Sequence, residues 1–375
     1  MTSVLTTPYA QLNLKRFPES ANNSLQAFDA ADEYLLQHLS SLQLSSNANC
    51  LVLNDSFGAL AASLASHFTT TSSSDSFLAK TALYENLKRN HITQAVSFVP
   101  SNQSLTGNYD IVVIRIPKIL SLLEEQLIRL QKHITKNTLI IAGGMIKHLP
   151  RTAGDLLEKY IGSVQASLAQ KKARLLFCTP QTLTAANSPY PTHYYAAHLK
   201  QKLINHAGIF CREDLDIGTR AFLPFLPKNL GIINAADLGC GNGVLGISLA
   251  LLNPEAKLTL IDESFMAVQS AQDNWKQLFP TREARIYACD GLANEAEHSF
   301  DLVICNPPFH QQQVIGDFLA KRMFKQAQTA LKQGGELWIV GNRHLGYHQQ
   351  LKNYFADVQL IGSTAKFVIL KAVKA

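Results

Sequence analysis

The chain has 375 residues, 46% of them apolar and 17% charged, with a formal net charge of +6 from 34 Lys and Arg against 28 Asp and Glu. That length exceeds what one hydrophobic core usually fills and suffices for two, while the mild basic excess, spread over both halves, permits a polyanionic partner and excludes a basic tail. Six scattered cysteines (Cys50, Cys178, Cys211, Cys240, Cys289 and Cys305) form no Cys-x-x-Cys pair, and there is neither a signal-peptide core at the N-terminus nor an apolar run of bilayer length. A cytoplasmic protein with no metal and no membrane partner is therefore expected; oligomeric state is not legible.

In chain order, a polar lead-in precedes an amphipathic helix around Ala27 to Leu39. Strand-like runs follow at Cys50 to Leu53, Ala95 to Phe98, Ile111 to Ile116, Leu139 to Ala142 and Arg174 to Cys178, with helical stretches between them. Such alternation predicts a parallel α/β sheet. Residues 179 to 200 lose apolar periodicity and carry Pro180, Pro189 and Pro191, which reads as a linker or an interdomain hairpin. The segment Gly208 to Leu226, with Phe210, Leu215, Asp216, Gly218 and Thr219, comes before the second sheet and is expected to cover one side of its ligand pocket. A second α/β alternation then begins with a strand ending at Leu238, continues through Lys257 to Ile261, Arg285 to Ala288, Leu302 to Cys305 and Glu336 to Val340, and closes with the pair Val358 to Gly362 and Lys366 to Ala372. The expected division is 1–180, a linker 181–207, and 208–375.

The halves align with one another. Leu53-Asn-Asp-Ser-Phe-Gly58-Ala-Leu60 matches Leu238-Gly-Cys-Gly-Asn-Gly243-Val-Leu245; Ser76-Phe77-Leu-Ala79 with Asn86 matches Ser264-Phe265-Met-Ala267 with Asn274; and Asp110 to Lys118 matches Asp301 to Phe309. A tandem duplication is expected, in which the first copy has lost the glycine loop and carries Arg115-Ile-Pro-Lys118 where the second has Asn306-Pro-Pro-Phe309. Side chains in place of glycine keep a ligand away from the backbone, so the first copy should serve recognition or support.

The second copy holds the chemistry. Gly239, Gly241 and Gly243 follow a strand and open a helix, and Asp262 ends the next strand about twenty residues on, where a carboxylate can take two ribose hydroxyls. Asp237 can order the loop or meet a cationic amino group, and Asp290 can accept from an adenine amine. This set suits S-adenosylmethionine better than a nicotinamide dinucleotide, because no hydride-transfer machinery accompanies it. In Asn306-Pro307-Pro308-Phe309 the prolines stiffen the turn, the acceptors of Asn306 and the Pro307 carbonyl can grip the two N–H bonds of a planar amine, and Phe309 offers a face for stacking. His310 and His344 are left outside the catalytic set.

Asp237-Leu-Gly239-Cys-Gly241-Asn-Gly243, Asp262 and Asn306-Pro-Pro-Phe309 resemble the class I, Rossmann-like methyltransferases that modify planar nitrogens. The whole chain, with its degenerate amino-terminal copy, resembles the two-domain ribosomal RNA guanine-N2 methyltransferases. Asn306 to Gln312, Gly341 to Leu345, Lys366 to Lys374 and the Ala-Ala-Asp-Glu-Tyr-Leu-Leu run from Ala30 are most similar to those acting on the large-subunit (23S) rRNA. The resemblance implies two tandem domains, S-adenosylmethionine as cofactor, ribosomal RNA as partner, and N2-methylation of an extruded or single-stranded guanine. Alternatives are a small-subunit rRNA guanine, another planar amine or amide such as adenine N6 or a glutamine side chain, and a non-catalytic RNA-binding or assembly protein on the same fold.

Overall fold

The chain divides between Tyr190 and Pro191 into two units, seen in a computed structural model that describes residues 3–19, 25–182, 185–308 and 313–375. The first unit opens with a hairpin of β1 (Ser3–Thr6) and β2 (Gln11–Leu14) and a helix, α1 (Ala30–Ser40). It continues β3 (Asn49–Leu53), α2 (Ala59–Leu64), β4 (Thr69–Ser74), α3 (Phe77–Arg89), β5 (Ser97–Pro100), β6 (Ile111–Arg115), α4 (Leu120–Leu130), β7 (Leu139–Met145), α5 (Arg151–Tyr160), β8 (Gly162–Ala166) and β9 (Ala173–Pro180). The second unit repeats this order: the hairpin β10 (Thr192–Ala196) and β11 (Gln201–Asn205), α6 (Ile217–Phe222), β12 (Asn234–Leu238), α7 (Val244–Leu252), β13 (Lys257–Asp262), α8 (Phe265–Leu278), β14 (Arg285–Ala288), β15 (Phe300–Cys305), α9 (Gln313–Ala330), β16 (Leu331–Asn342), α10 (Tyr347–Leu351), β17 (Asp357–Ser363) and β18 (Phe367–Val373).

Each unit contains one seven-stranded sheet, ordered β5-β4-β3-β6-β7-β9-β8 in the first and β14-β13-β12-β15-β16-β18-β17 in the second. The orders are the same when counted from the start of each unit, and both sheets are parallel except where the last strand of the chain segment runs antiparallel to its neighbours. The central strands are buried from both sides, as the apolar runs Ile111–Ile114 and Leu302–Cys305 require.

The stretch 181–207, expected as a linker, contains the β10–β11 hairpin, and this hairpin is built into the second unit. Tyr194, Ala196 and Leu203 join the apolar core beside β12 and α7. Asn274 of α8 accepts from Ile204 N at 2.7 Å and donates to the carbonyls of Ile204 and Asn242. The first unit does the same thing: Asn86 accepts from Lys15 N at 2.9 Å and donates to the carbonyls of Lys15 and Phe57. The hairpin is the opening element of each repeat, which is why it packs on the sheet that follows it. Among the described residues no helix is long and apolar enough to cross a membrane.

Candidate active site

Strand order reverses between β12 and β15 in the second sheet, and in an open parallel sheet that reversal leaves a crevice at the carboxyl ends. Leu238, the last residue of β12, is level with Ile261 of β13 and Cys305 of β15. The glycine loop, Asp262 and Asn306 thus leave the sheet side by side.

The loop from Gly239 to Gly243 is pinned from the neighbouring strand. Gly239 N and Cys240 N donate to the Ile261 carbonyl, and Gly241 N donates to Asp262 Oδ2 at 2.9 Å. The other oxygen of Asp262 accepts from Ser264 N at 3.0 Å, so one carboxylate joins the loop to the start of α8. Burial raises the Asp262 pKa, against the opposing pull of the amides of Ser264 and Gly241. Gly241 has φ +55°, and a Cβ there would project into open space, which leaves room for a ligand against the backbone.

Asp237 lies wholly inside the sheet at 0% exposure. Its Oδ2 accepts from Gly246 N at 2.7 Å, an approach that glycine allows because a Cβ at 246 would stand 3.0 Å from that oxygen and 2.9 Å from Leu260. Its Oδ1 is buried and has no hydrogen-bond partner among the described residues. Burial, then the nearby charge of Asp262, raises the Asp237 carboxyl to about 7.

Asn306 follows β15 with its amide held at one end. Nδ2 donates to Asp216 Oδ2 and to Thr219 Oγ1, each at 2.9 Å, while Oδ1 is buried without a partner among the described residues. Asp216 is the N-cap of α6 and also accepts from Thr219 N at 2.8 Å. The segment expected to cover the pocket therefore reaches the clamp itself, through two side chains to which the sequence alone assigned no role. An Asp-x-x-Thr pair opening a short helix is the available signal, since it reads as a cap. Pro307 is buried and Pro308 half-buried; Phe309 and His310 lie outside the described residues.

Asp290, expected to accept from an adenine amine, is engaged within the protein. It is 6% exposed and both carboxylate oxygens are taken by the guanidinium of Arg322 on α9, while its carbonyl accepts from Gln326 at 2.9 Å. A bidentate guanidinium forms charge-assisted hydrogen bonds roughly twice as strong as neutral ones. The two thiols beside the site, Cys240 and Cys305, are pushed well above the ordinary thiol range, first by burial and then by Asp237 and Asp262. They remain protonated. His344 is exposed in the turn after β16. Among the described residues no cluster of His, Cys, Asp or Glu could hold a metal ion.

The equivalent edge of the first sheet is filled by side chains. Asp55 accepts from the four amides of Gly58, Ala59, Leu60 and Ala61 at 2.9–3.1 Å, using up the free donors at the start of α2. Asn54 spans the strand-order reversal by donating to the Arg115 carbonyl and to Gln126. Arg115, in the place of Asn306, pairs with Asp29 and Asp32 of the α1 cap at 2.8 Å. Among the described residues, these side chains occupy the place that the glycine loop and clamp hold in the second unit.

Residues 2–182 match the family model described as RLMG N-terminal domain, and residues 200–371 match the one described as Methyltransferase small domain. The chain is 61% identical over 373 residues to a Ribosomal RNA large subunit methyltransferase G from Stutzerimonas stutzeri, spanning 99% of this chain and 100% of that one. It is 60% identical over 373 residues to the protein of the same name from Pseudomonas fluorescens, with the same coverage. Among solved structures, the 16S rRNA N2 G1207 methyltransferase of T. thermophilus, in complex with AdoMet and guanosine, superposes with a TM-score of 0.78 over 100% of this chain and 98% of that one, at 20% sequence identity. At that identity the likeness is one of fold.

Proposed function

The chain belongs to the ribosomal RNA large subunit methyltransferase G family, and on that footing we propose that it methylates the exocyclic N2 of a guanine in 23S rRNA. The second unit carries the chemistry and the first supports RNA recognition. The observation that carries this reading is the Oδ1 of Asn306, buried and without a partner among the described residues, fixed beside the glycine loop at the carboxyl edge of one sheet.

The residues present fit S-adenosylmethionine: Gly241 leaves open space over the loop, Asp262 and Asp237 supply carboxylates, and the Asp237 Oδ1 lacks a partner among the described residues. Gly239, Gly241, Gly243 and Asp262 would hold its nucleoside part, and Asp237 its amino group. Asp290 would meet adenine only by sharing a carboxylate that Arg322 already engages. When bound, the cofactor supplies an electrophilic methyl group on a sulfonium. The lone pair of a guanine N2 is delocalised into the ring, so the work of the protein is to favour a tetrahedral nitrogen. Asn306 Oδ1 and the Pro307 carbonyl accept its two N–H bonds, Pro307 and Pro308 keep the turn stiff, and Phe309 stacks on the base. Orientation of the amine toward the loop supplies much of the acceleration. No strong base is needed, because the methylated, cationic amine loses its proton readily.

Asp237 gives the reaction a pH signature. A cationic amino group favours the carboxylate, whereas the free protein holds the acid form up to about 7. Binding therefore releases a proton below that value, and affinity falls as pH drops. Calorimetric titration with S-adenosylhomocysteine should show weaker binding at about pH 6 than at about pH 8, and Asp237→Asn should flatten the difference.

The direct test of function is transfer of labelled methyl from S-adenosylmethionine to unmodified 23S and 16S rRNA, with nucleoside analysis of the product. The expected product is N2-methylguanosine in 23S rRNA alone. Label in 16S rRNA, or in protein only, overturns the substrate assignment.

A further inference from the structure

We propose that Asp216 and Thr219 are positioning residues that decide which end of the Asn306 amide faces the substrate. This rests on the reading of Asn306 as the acceptor for the target amine. The two ends of a side-chain amide are nearly the same size and opposite in function: oxygen accepts, nitrogen donates. A target amine brings N–H bonds, so a flipped Asn306 would oppose donors to donors.

The partners of Asn306 remove that ambiguity. An ionised carboxylate can only accept, so Asp216 Oδ2, at 2.9 Å, demands the nitrogen. Thr219 Oγ1 accepts the second hydrogen at 2.9 Å, from a side chain that is 4% exposed. With both hydrogens used, Oδ1 is left as the only free function of the amide, buried and without a partner among the described residues. Asp216 is itself fixed by the amide of Thr219, so the pair forms one rigid acceptor.

The first repeat supplies independent support. The cap of α1 presents Asp29 and Asp32, three residues apart like Asp216 and Thr219, and they hold Arg115, which stands one residue beyond Ile114 as Asn306 stands one beyond Cys305. Both repeats use this cap to grip the residue at the end of the fourth strand of the sheet order. A guanidinium is met by two carboxylates; a neutral amide is met by one carboxylate and one hydroxyl. The acceptors match the group being held.

The test uses the full-length protein in the labelled-methyl assay with its rRNA substrate, together with S-adenosylhomocysteine binding and melting temperature. Asp216→Asn, which allows the amide to flip, and Thr219→Val, which removes one acceptor, should each lower kcat by roughly 10- to 100-fold, the scale of losing an outer partner that orients a reacting ligand. KM for rRNA and cofactor-product affinity should stay within about twofold, and Thr219→Ser should recover kcat to within about threefold of the parent. Exchanging the pair provides the decisive control. Asn306→Asp places two carboxylates together, and adding Asp216→Asn restores a donor–acceptor pair with the free oxygen still facing the substrate. The double variant should exceed Asn306→Asp in kcat by roughly tenfold or more.

A Thr219→Val protein with the parental kcat, losses confined to cofactor affinity or melting temperature, or a double variant no better than Asn306→Asp would each overturn the proposal. If the parent methylates rRNA and Asn306→Ala does so equally well, the reading of Asn306 fails as well. An inactive Asn306→Ala beside an unaffected Asp216→Asn and Thr219→Val overturns the positioning role alone.

Discussion

Asn306→Ala should lower kcat for methyl transfer to 23S rRNA by roughly 100- to 1,000-fold, the range seen when one preorganised hydrogen-bonding group aimed at developing charge is removed. The effect should fall on kcat, because charge builds on the amine only as it attacks, and an interaction gained in the transition state raises kcat rather than substrate affinity. S-adenosylhomocysteine affinity should change by about twofold or less, since the hydrogen bonds of the Asn306 side chain go to Asp216 and Thr219, and those that hold the glycine loop come from Ile261 and Asp262. Single-turnover kinetics with saturating cofactor give the decisive measurement. Retention of more than about a tenth of the parental rate would show that the amide is not the principal acceptor.

Asp262→Ala should act on the other half of the reaction. Its carboxylate holds Gly241 N and Ser264 N in the free protein, and its removal releases the loop from α8 while deleting the acceptor proposed for the ribose. Charge-assisted hydrogen bonds contribute about 1.5–3 kcal/mol each, so a rise in the dissociation constant for S-adenosylhomocysteine of roughly 100-fold is expected. Here the loss should appear in cofactor binding, with kcat at saturating cofactor reduced far less than in Asn306→Ala. Calorimetric titration separates the two variants, and unchanged affinity in Asp262→Ala would remove Asp262 from the cofactor site.

The features legible in the sequence are those marked by local punctuation. Glycines at 239, 241 and 243, the acid at 262 and the prolines at 307 and 308 interrupt apolar strands at the points where the chain leaves the sheet, and the register brings those exits together. What escaped depends on partners distant in the chain. Strand β4 is Thr-Thr-Thr-Ser-Ser-Ser, buried through hydroxyls rather than apolar side chains, and so gives no hydrophobic signal. The β10–β11 hairpin follows a Pro-rich stretch that masks the alternation of Tyr194, Ala196, Leu203 and Asn205. Asp216 and Thr219 lie some ninety residues before Asn306, Arg322 lies 32 beyond Asp290, and no local pattern announces either pairing. The repeat was readable in short motifs, but its full extent, from hairpin to closing strands, emerges only from matching topology.

The salt-bridged cap of the first repeat makes the divergence of the two copies hard to reverse. Arg115 neutralises Asp29 and Asp32, and Asp32 is buried enough that its carboxyl is raised to about 7 despite the guanidinium. Restoring asparagine at 115 alone would leave the buried Asp32 without its cation, and breaking a buried pair costs about 3–5 kcal/mol, whereas Asp29, with 40% of its side chain exposed, is screened by water and adds little. Asp55 would still plug α2, and Asn54 would still span the crevice. A single reversal at 115 therefore lowers stability while Asp55 and Asn54 still fill the place a ligand would need. The specialisation of the two halves is thereby entrenched, as a ratchet set by buried charge.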